Sequence, residues 1–200
     1  MNYFDSDYWS NSDLKAFVDK VNGGNQMPEN IEEIYKAGTL NHAMIFQPHL
    51  VDWTMPQIKI DVAKQMRDTF MADKMLRQFI SMPDFRTEHE WYRNDFGGYG
   101  VRGRMKADGD SKALRTGLEF KGLAVSTKSG FDAAIDRLKY DQGVVWYMDG
   151  TGYDQWLIAC ISKSDPKKLF KILVDKNHDI YKAGRQKVNY SIDLAKQYVA

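Results

Sequence analysis

The order of periodicities along this chain of 200 residues predicts an α/β domain, a small mixed central sheet flanked by helices. Two observations carry that expectation. Apolar residues recur at helical spacing through the N-terminal part, and the pattern then gives way to short extended segments around a glycine-rich turn. A helix, two apolar strands and a polar-faced last helix follow, which is the element order of a layered fold.

Ser10 and Ser12 offer caps to a helix reaching Val21, with Leu14, Phe17, Val18 and Val21 at helical spacing. Gly23-Gly24-Asn25 ends it. Ile31 to Phe46 reads as a second helical region interrupted near Gly38, and Pro48 and Pro56 bracket a loop. Ile58 to Ile80 reads as two helices broken near Met71-Ala72-Asp73, with methionines as core filler. Glu88 to Tyr92 is short and aromatic, and Phe96 to Gly100 is a glycine turn. Val101 to Lys106 and Leu118 to Lys121 read as strands, with Asp108, Gly109 and Asp110 in a loop between them. Ser129 to Tyr147 reads as one long helix or two, Gln155 to Ser162 and Leu169 to Val174 as strands, and Asp179 to Tyr198 as a helix. One domain over 1–200 is expected: a mainly helical part over 1–82, a sheet-bearing part over 83–176 and a C-terminal helix over 177–200.

The chain is 43% hydrophobic and 28% charged, enough for a real core. Its net charge of +1 excludes a global basic field, so any nucleic-acid surface must be a local patch. Cys160 is the single cysteine, which excludes an intrachain disulfide and a cysteine-ligated zinc, and its apolar surroundings predict burial. The N-terminus lacks a secretory pattern and no run approaches the length of a membrane span, so a cytoplasmic location is expected.

The chemistry concentrates in VRGRMKADGD and GLEFKG. Asp108 and Glu119 stand eleven positions apart, and Lys121 follows Glu119 by two. On a strand, residues two apart share a face, so Glu119 and Lys121 project together. Two carboxylates give hard oxygen ligands suited to Mg²⁺, and a lysine beside them can orient a water or accept its proton. The same spacing also fits a solvated hairpin with surface charges. Arg102, Arg104 and Lys106 alternate on one strand and share a side, either for phosphate or for solvent. Lys128, Arg137 and Lys139 flank the site in sequence, and Tyr140, Trp146 and Tyr147 are rings able to stack on bases, although Trp146 suits a core better.

Five segments in order widen the reading: YWSNSDLKAF, YKAGTLNHAMIFQPH, TEHEWYRNDFGGYGVRGRMKAD, LEFK and YDQGVVWYMDG. Together they resemble the RecE-like, phage-type exonucleases of the PD-(D/E)XK nuclease superfamily. The resemblance implies that Asp108 and Glu119 are metal carboxylates, that Lys121 is the catalytic lysine and that His42 completes the metal site. It makes Glu88 the early acidic residue, with Glu90 as rival, and prefers Asp108 to Asp110. It implies Mg²⁺, with Mn²⁺ able to substitute, and hydrolysis of DNA by a metal-activated water. It further implies 5′-to-3′ digestion of linear duplex ends, a homo-oligomer, a single-strand annealing partner, and the cytoplasm of a bacterium or phage-infected cell. Other readings are a structure-selective endonuclease on the same fold and a catalytically inactive DNA-binding protein. Two departures stand out. Gly143 lies where the family carries a glutamine, with Gln142 one position early as a DNA-contact candidate, and Gly122-Leu123 replace threonines after Lys121.

Overall fold

A computed structural model of the chain describes residues 9–21 and 40–199. The helices are α1 (Asn11–Val21), α2 (residues 40–46), α3 (Gln57–Ala72), α4 (Lys74–Ile80), α5 (Lys128–Arg137), α6 (Tyr140–Thr151) and α7 (Asp179–Val199). The strands are β1 (Phe85–Arg93), β2 (Gly103–Ser111), β3 (Thr116–Leu123), β4 (Gln155–Ser162) and β5 (Leu169–Asp175). They form one sheet in the order β1-β2-β3-β4-β5. Only β3 and β4 run parallel, and the α5–α6 pair supplies the crossover that a parallel neighbour requires. The architecture is therefore α/β, a mixed sheet flanked by helices.

The two faces of β4 explain its unbroken apolar run. Trp156, Ile158 and Cys160 enter a cluster with residues of α1, α5, α6 and α7, while Leu157, Ala159 and Ile161 enter another with Phe46, Phe70 and Leu76. Each fully buried Leu or Ile here contributes about 1.5–3 kcal/mol. Burial pushes the Cys160 thiol up to about 11, so it packs as an inert apolar group.

Asp73 separates α3 from α4: extended itself, it caps α4 by accepting from the Leu76 N–H at 3.0 Å. Lys139, in the left-handed region at φ 56°, likewise divides the predicted 129–147 helix into α5 and α6. The helix expected over 10–21 is present, whereas the Gly23–Asn25 stop and the 31–39 part of the second helical region lie outside the described residues. Met66 is fully buried, but Met71 and Met75 are more than one-third exposed and fill no core. Trp146 is core as well, stacked on Phe96 at 4.2 Å and donating from Nε1 to the Arg104 carbonyl at 3.0 Å, so it offers no face to a base.

One strand boundary changes the chemistry. Asp108, Gly109 and Asp110 are not in a loop; β2 runs through Ser111 and the hairpin turns at 112–115. Asp-Gly-Asp reads locally as a turn, but β1 begins at Phe85 and pairs along this whole stretch. β3 pairs only with residues 109–111 of β2, and the edge left bare near Gly103 is taken by Trp9, through Trp9 N–H to Arg102 O at 2.9 Å and Arg104 N–H to Trp9 O at 2.7 Å. Among the described residues no helix is long and apolar enough to cross a membrane.

Candidate metal centre and active site

Glu88 and Asp108 oppose each other between the pairs Thr87–Gly109 and His89–Ala107 of the β1–β2 ladder. Glu88 sits there at φ 54°, a left-handed backbone that costs a non-glycine residue roughly 1–2 kcal/mol. The side-chain alternation changes phase at this point. Met105 and Ala107 pack into the α6–α7 core, yet a Cβ on Gly109 would strike Phe85, which packs on the α3–α4 core. The distortion turns the carboxylates of Glu88 and Asp108 toward one place.

Helix α2 brings His42 to that place. Its Nε2 lies 3.0 Å from Asp108 Oδ1 and 3.0 Å from Glu88 Oε1, and its ring rests on Phe46 at 4.9 Å. Lys106 Nζ lies 2.6 Å from Glu88 Oε2, and Asp108 Oδ2 accepts from the Phe120 N–H at 2.6 Å. A single imidazole N–H cannot serve two carboxylate oxygens, and among the described residues the buried Glu88 Oε1 has no hydrogen-bond partner. The ligand atoms of His42, Glu88 and Asp108 all lie within 4.8 Å of one another. Two carboxylate oxygens and a nitrogen, one oxygen unsatisfied, form a donor set that fits a divalent cation. Burial alone would lower the His42 pKa, but the hydrogen bond to Asp108 and the charges of Asp108 and Glu88 raise it. Burial would raise the Asp108 pKa, but His42, Lys121 and the Phe120 N–H hold it below the ordinary carboxylate range.

The two rival acids sit elsewhere. Glu90 is exposed and accepts from Tyr92 Oη at 3.1 Å. Asp110 is fully buried and bound to Arg86 at 2.6 Å. Glu119, expected among the metal ligands, is outside the three-residue cluster and is ion-paired to Lys121.

Glu119 and Lys121 do share a face of β3, with Lys121 Nζ 5.7 Å from the Tyr140 ring centroid. Burial pushes the Glu119 carboxyl up to about 7, opposed by Lys121 and reinforced by Asp108. Burial would lower the Lys121 pKa, yet Glu119 and Asp108 raise it well above the ordinary lysine range. Of the two roles expected for Lys121, orienting a water or accepting its proton if the site lowers its pKa, the upward direction favours the first, and Glu119 is the group pushed toward neutrality.

A cavity of about 210 Å³ opens beside this pair, walled by Asn11, Lys15, Glu119, Lys121, Tyr140 and Gly143 among others. Asn11 and Lys15 were not among the sequence candidates. Their signal was faint: two polar positions four apart on α1, hence on one face, within a segment that reads as a cap. Burial pushes the Lys15 ammonium down to about 8, with Glu119 opposing.

Arg102, Arg104 and Lys106 are all exposed and alternate with buried Gly103 and Met105, as expected of one strand face. Arg104 reaches Asp13 at 3.5 Å and Lys106 is held by Glu88. Gln142 is corrected as a DNA contact. It is buried to 3% exposure and lies 3.4 Å from Ser191 Oγ on α7, while Gly143 faces the cavity. One step along a helix turns a side chain by about 100°, which accounts for the difference.

The fold has a solved counterpart. The structure of "Putative exonuclease" from Eubacterium rectale superposes with a TM-score of 0.67 at 15% identity, covering 97% of this chain and 83% of that one. The structure of a phage related exonuclease from Haemophilus somnus 129PT gives a TM-score of 0.44 at 10% identity, covering 96% of each chain. No family model matches the sequence, and no curated protein matches it.

Proposed function

We propose that the chain is a metal-dependent deoxyribonuclease of the PD-(D/E)XK type, acting as an exonuclease on linear duplex DNA. The observation that carries this reading is the convergence of His42, Glu88 and Asp108 within 4.8 Å, next to the Glu119–Lys121 pair. The shared fold with a protein named as an exonuclease supports it. Digestion from 5′ to 3′, a homo-oligomeric assembly, a single-strand annealing partner and a place in phage-type recombination follow from the motif resemblance.

His42, Glu88 and Asp108 would hold the cation, Mg²⁺ or Mn²⁺. When bound, it supplies Lewis acidity toward a phosphodiester oxygen and lowers the pKa of a water. The chain's own residues do the rest. Lys121, kept cationic, donates to a phosphate oxygen and offsets the charge that grows there. Glu119, near neutral pKa, accepts the proton of the attacking water. The water oxygen joins phosphorus, the P–O bond to the leaving sugar breaks, and that sugar oxygen takes a proton from solvent. Arg102 and Arg104 hold the backbone without reading sequence.

End-labelled linear duplex and covalently closed circular DNA, incubated with Mg²⁺ or with EDTA, test the reading. Loss of the linear substrate alone, only with metal, is expected. Cutting of the closed circle would replace it with an endonuclease, and binding without cleavage under Mg²⁺ and Mn²⁺ would overturn the enzymatic reading.

A further inference from the structure

Arg86 and Asp110 are register partners on β1 and β2, and each stands two residues from a carboxylate of the metal centre, Glu88 and Asp108. Asp110 is fully buried, and its Oδ1 accepts from Arg86 Nε at 2.9 Å and from Nη2 at 2.6 Å. Arg86 Nη2 also donates to Tyr153 Oη at 3.1 Å, and the guanidinium carbon lies 5.3 Å from the Trp91 ring centroid. One cation is thus tied to β2, to the link between α6 and β4, and to its own strand further along.

Stability does not explain such a pair. Desolvation offsets the attraction of two buried charges, so neutral groups of similar volume usually serve the fold as well. Here the compensation is incomplete. Among the described residues Asp110 Oδ2 has no hydrogen-bond partner, with His89 Nδ1 3.5 Å away. A pair of this kind can instead fix one conformation against its alternatives.

The conformation in question is the phase change of β1. Residues three apart belong on opposite faces of a regular strand. Arg86 and His89 nevertheless share one: Arg86 Nη1 lies 3.2 Å from His89 Nε2, and the His89 ring meets Trp91 at 4.8 Å. Glu88 lies between them and turns the other way, onto His42 and Lys106. Holding Arg86 on the face of His89 and Trp91 forces the break into the two residues between, and Glu88 takes it up at φ 54°. A left-handed glutamate persists only where its surroundings over-determine it.

We infer that Arg86 and Asp110 are positioning residues: their ion pair imposes the left-handed backbone of Glu88 and so aims its carboxylate into the metal centre. Neither belongs to the ligand cluster itself. That the aim serves a cation rests on the proposed function, whereas the backbone effect does not. The rival cause is the Glu88 carboxylate, drawn over by His42 and Lys106.

Removing one partner alone would leave the other buried and unpaired. The test therefore uses Arg86→Met together with Asp110→Asn, a neutral pair of similar volume and unchanged net charge. Glu88→Gly and Glu88→Ala are each made in the wild-type and the neutral-pair backgrounds, and the full chains are unfolded in denaturant without metal. Glu88→Gly should unfold at higher denaturant than Glu88→Ala in the wild-type background, and the two should coincide in the neutral pair. A difference that persists in the neutral pair overturns the inference, and so does one absent from the wild-type background, which assigns the strain to the carboxylate. Arg86→Lys, which keeps the charge and loses the fork, is the second background, and there the difference should shrink without vanishing.

Mn²⁺ alone, titrated into the full chain and followed by its electron paramagnetic resonance, reads the consequence with Glu88 in place. The neutral pair should bind Mn²⁺ at least about tenfold more weakly than wild type, and Arg86→Lys should fall between them. Equal Mn²⁺ affinity in wild type and the neutral pair overturns the aiming of the carboxylate. A wild type that binds no Mn²⁺, while the glycine–alanine difference still follows the ion pair, would sink the metal centre and leave the backbone role standing.

Discussion

Glu88 faces Asp108 across the β1–β2 ladder at the position where the two strands exchange their alternation, and Glu88 holds a left-handed backbone to do so. A glutamate in this conformation is strained, and the strain aims its carboxylate at His42 and Asp108. Function and stability therefore pull against each other at one residue.

Comparing Glu88→Gly with Glu88→Ala isolates that strain. Both variants remove the carboxylate and leave Lys106 without its partner, but only glycine accepts φ 54° freely. Glu88→Gly should be more stable than Glu88→Ala by about 1 kcal/mol in denaturant unfolding. Both should lose cleavage by roughly hundredfold or more, as expected for a missing metal ligand. Equal stability of the two would mean that the backbone relaxes once the carboxylate is gone.

Much of this centre was legible in the sequence because strand period is simple. Glu119 and Lys121, two apart, share a face, as do Arg102, Arg104 and Lys106. His42 and Asp108 are 66 positions apart, and only the motif resemblance joined them. The phase change at Glu88 was hidden because it arises from strand pairing, not from any local pattern. Gln142 shows the opposite failure: its residue type suits the site, but one step along α6 sends it to Ser191.

Glu119 gives a pH signature. Its folded pKa of about 7 lies above the ordinary 4.5, so its contribution to stability is complete below pH 4.5 and is lost as pH rises through 7. Melting followed across this window should fall with pH in the wild type more steeply than in Glu119→Gln. Cleavage should rise over the same interval, as the carboxylate forms, and Glu119→Gln should lose that limb. Lys121, its pKa raised, should add no falling limb between pH 7 and 10. A rising limb between pH 7 and 10 that Lys121→Arg abolishes would instead make the lysine the proton acceptor.

The exposed strand face makes a salt prediction. Arg102→Ala should weaken DNA about equally across sequences and flatten the salt dependence by roughly 0.9 in the log–log slope, the value for one lost phosphate contact. Arg104→Ala should do the same, reduced to the extent that Asp13 already occupies its guanidinium at 3.5 Å. Binding of one labelled duplex between low and moderate salt measures both. An unchanged slope in Arg102→Ala means this face looks into solvent.

His42 separates a metal ligand from a packed histidine. Its folded pKa is raised above 6.5, mainly through Asp108 acting against burial. In the metal-free protein its contribution is thus complete below pH 6.5 and lost as pH rises through the higher folded value. A ligating imidazole must be neutral, so the Mg²⁺ needed for half-maximal cleavage should climb as pH falls below that value. In His42→Ala the requirement should be higher above that value and should lose this His-linked rise, because no imidazole proton competes. Mn²⁺ should restore part of the loss, since it binds the remaining Glu88 and Asp108 oxygens more tightly than Mg²⁺ does. A histidine serving only to seat α2 through Phe46 behaves differently. Its removal lowers the melting temperature and leaves the metal requirement of the folded fraction untouched. Metal titration and melting on the same preparation therefore decide whether His42 belongs to the centre with Glu88 and Asp108 or to the core beneath it.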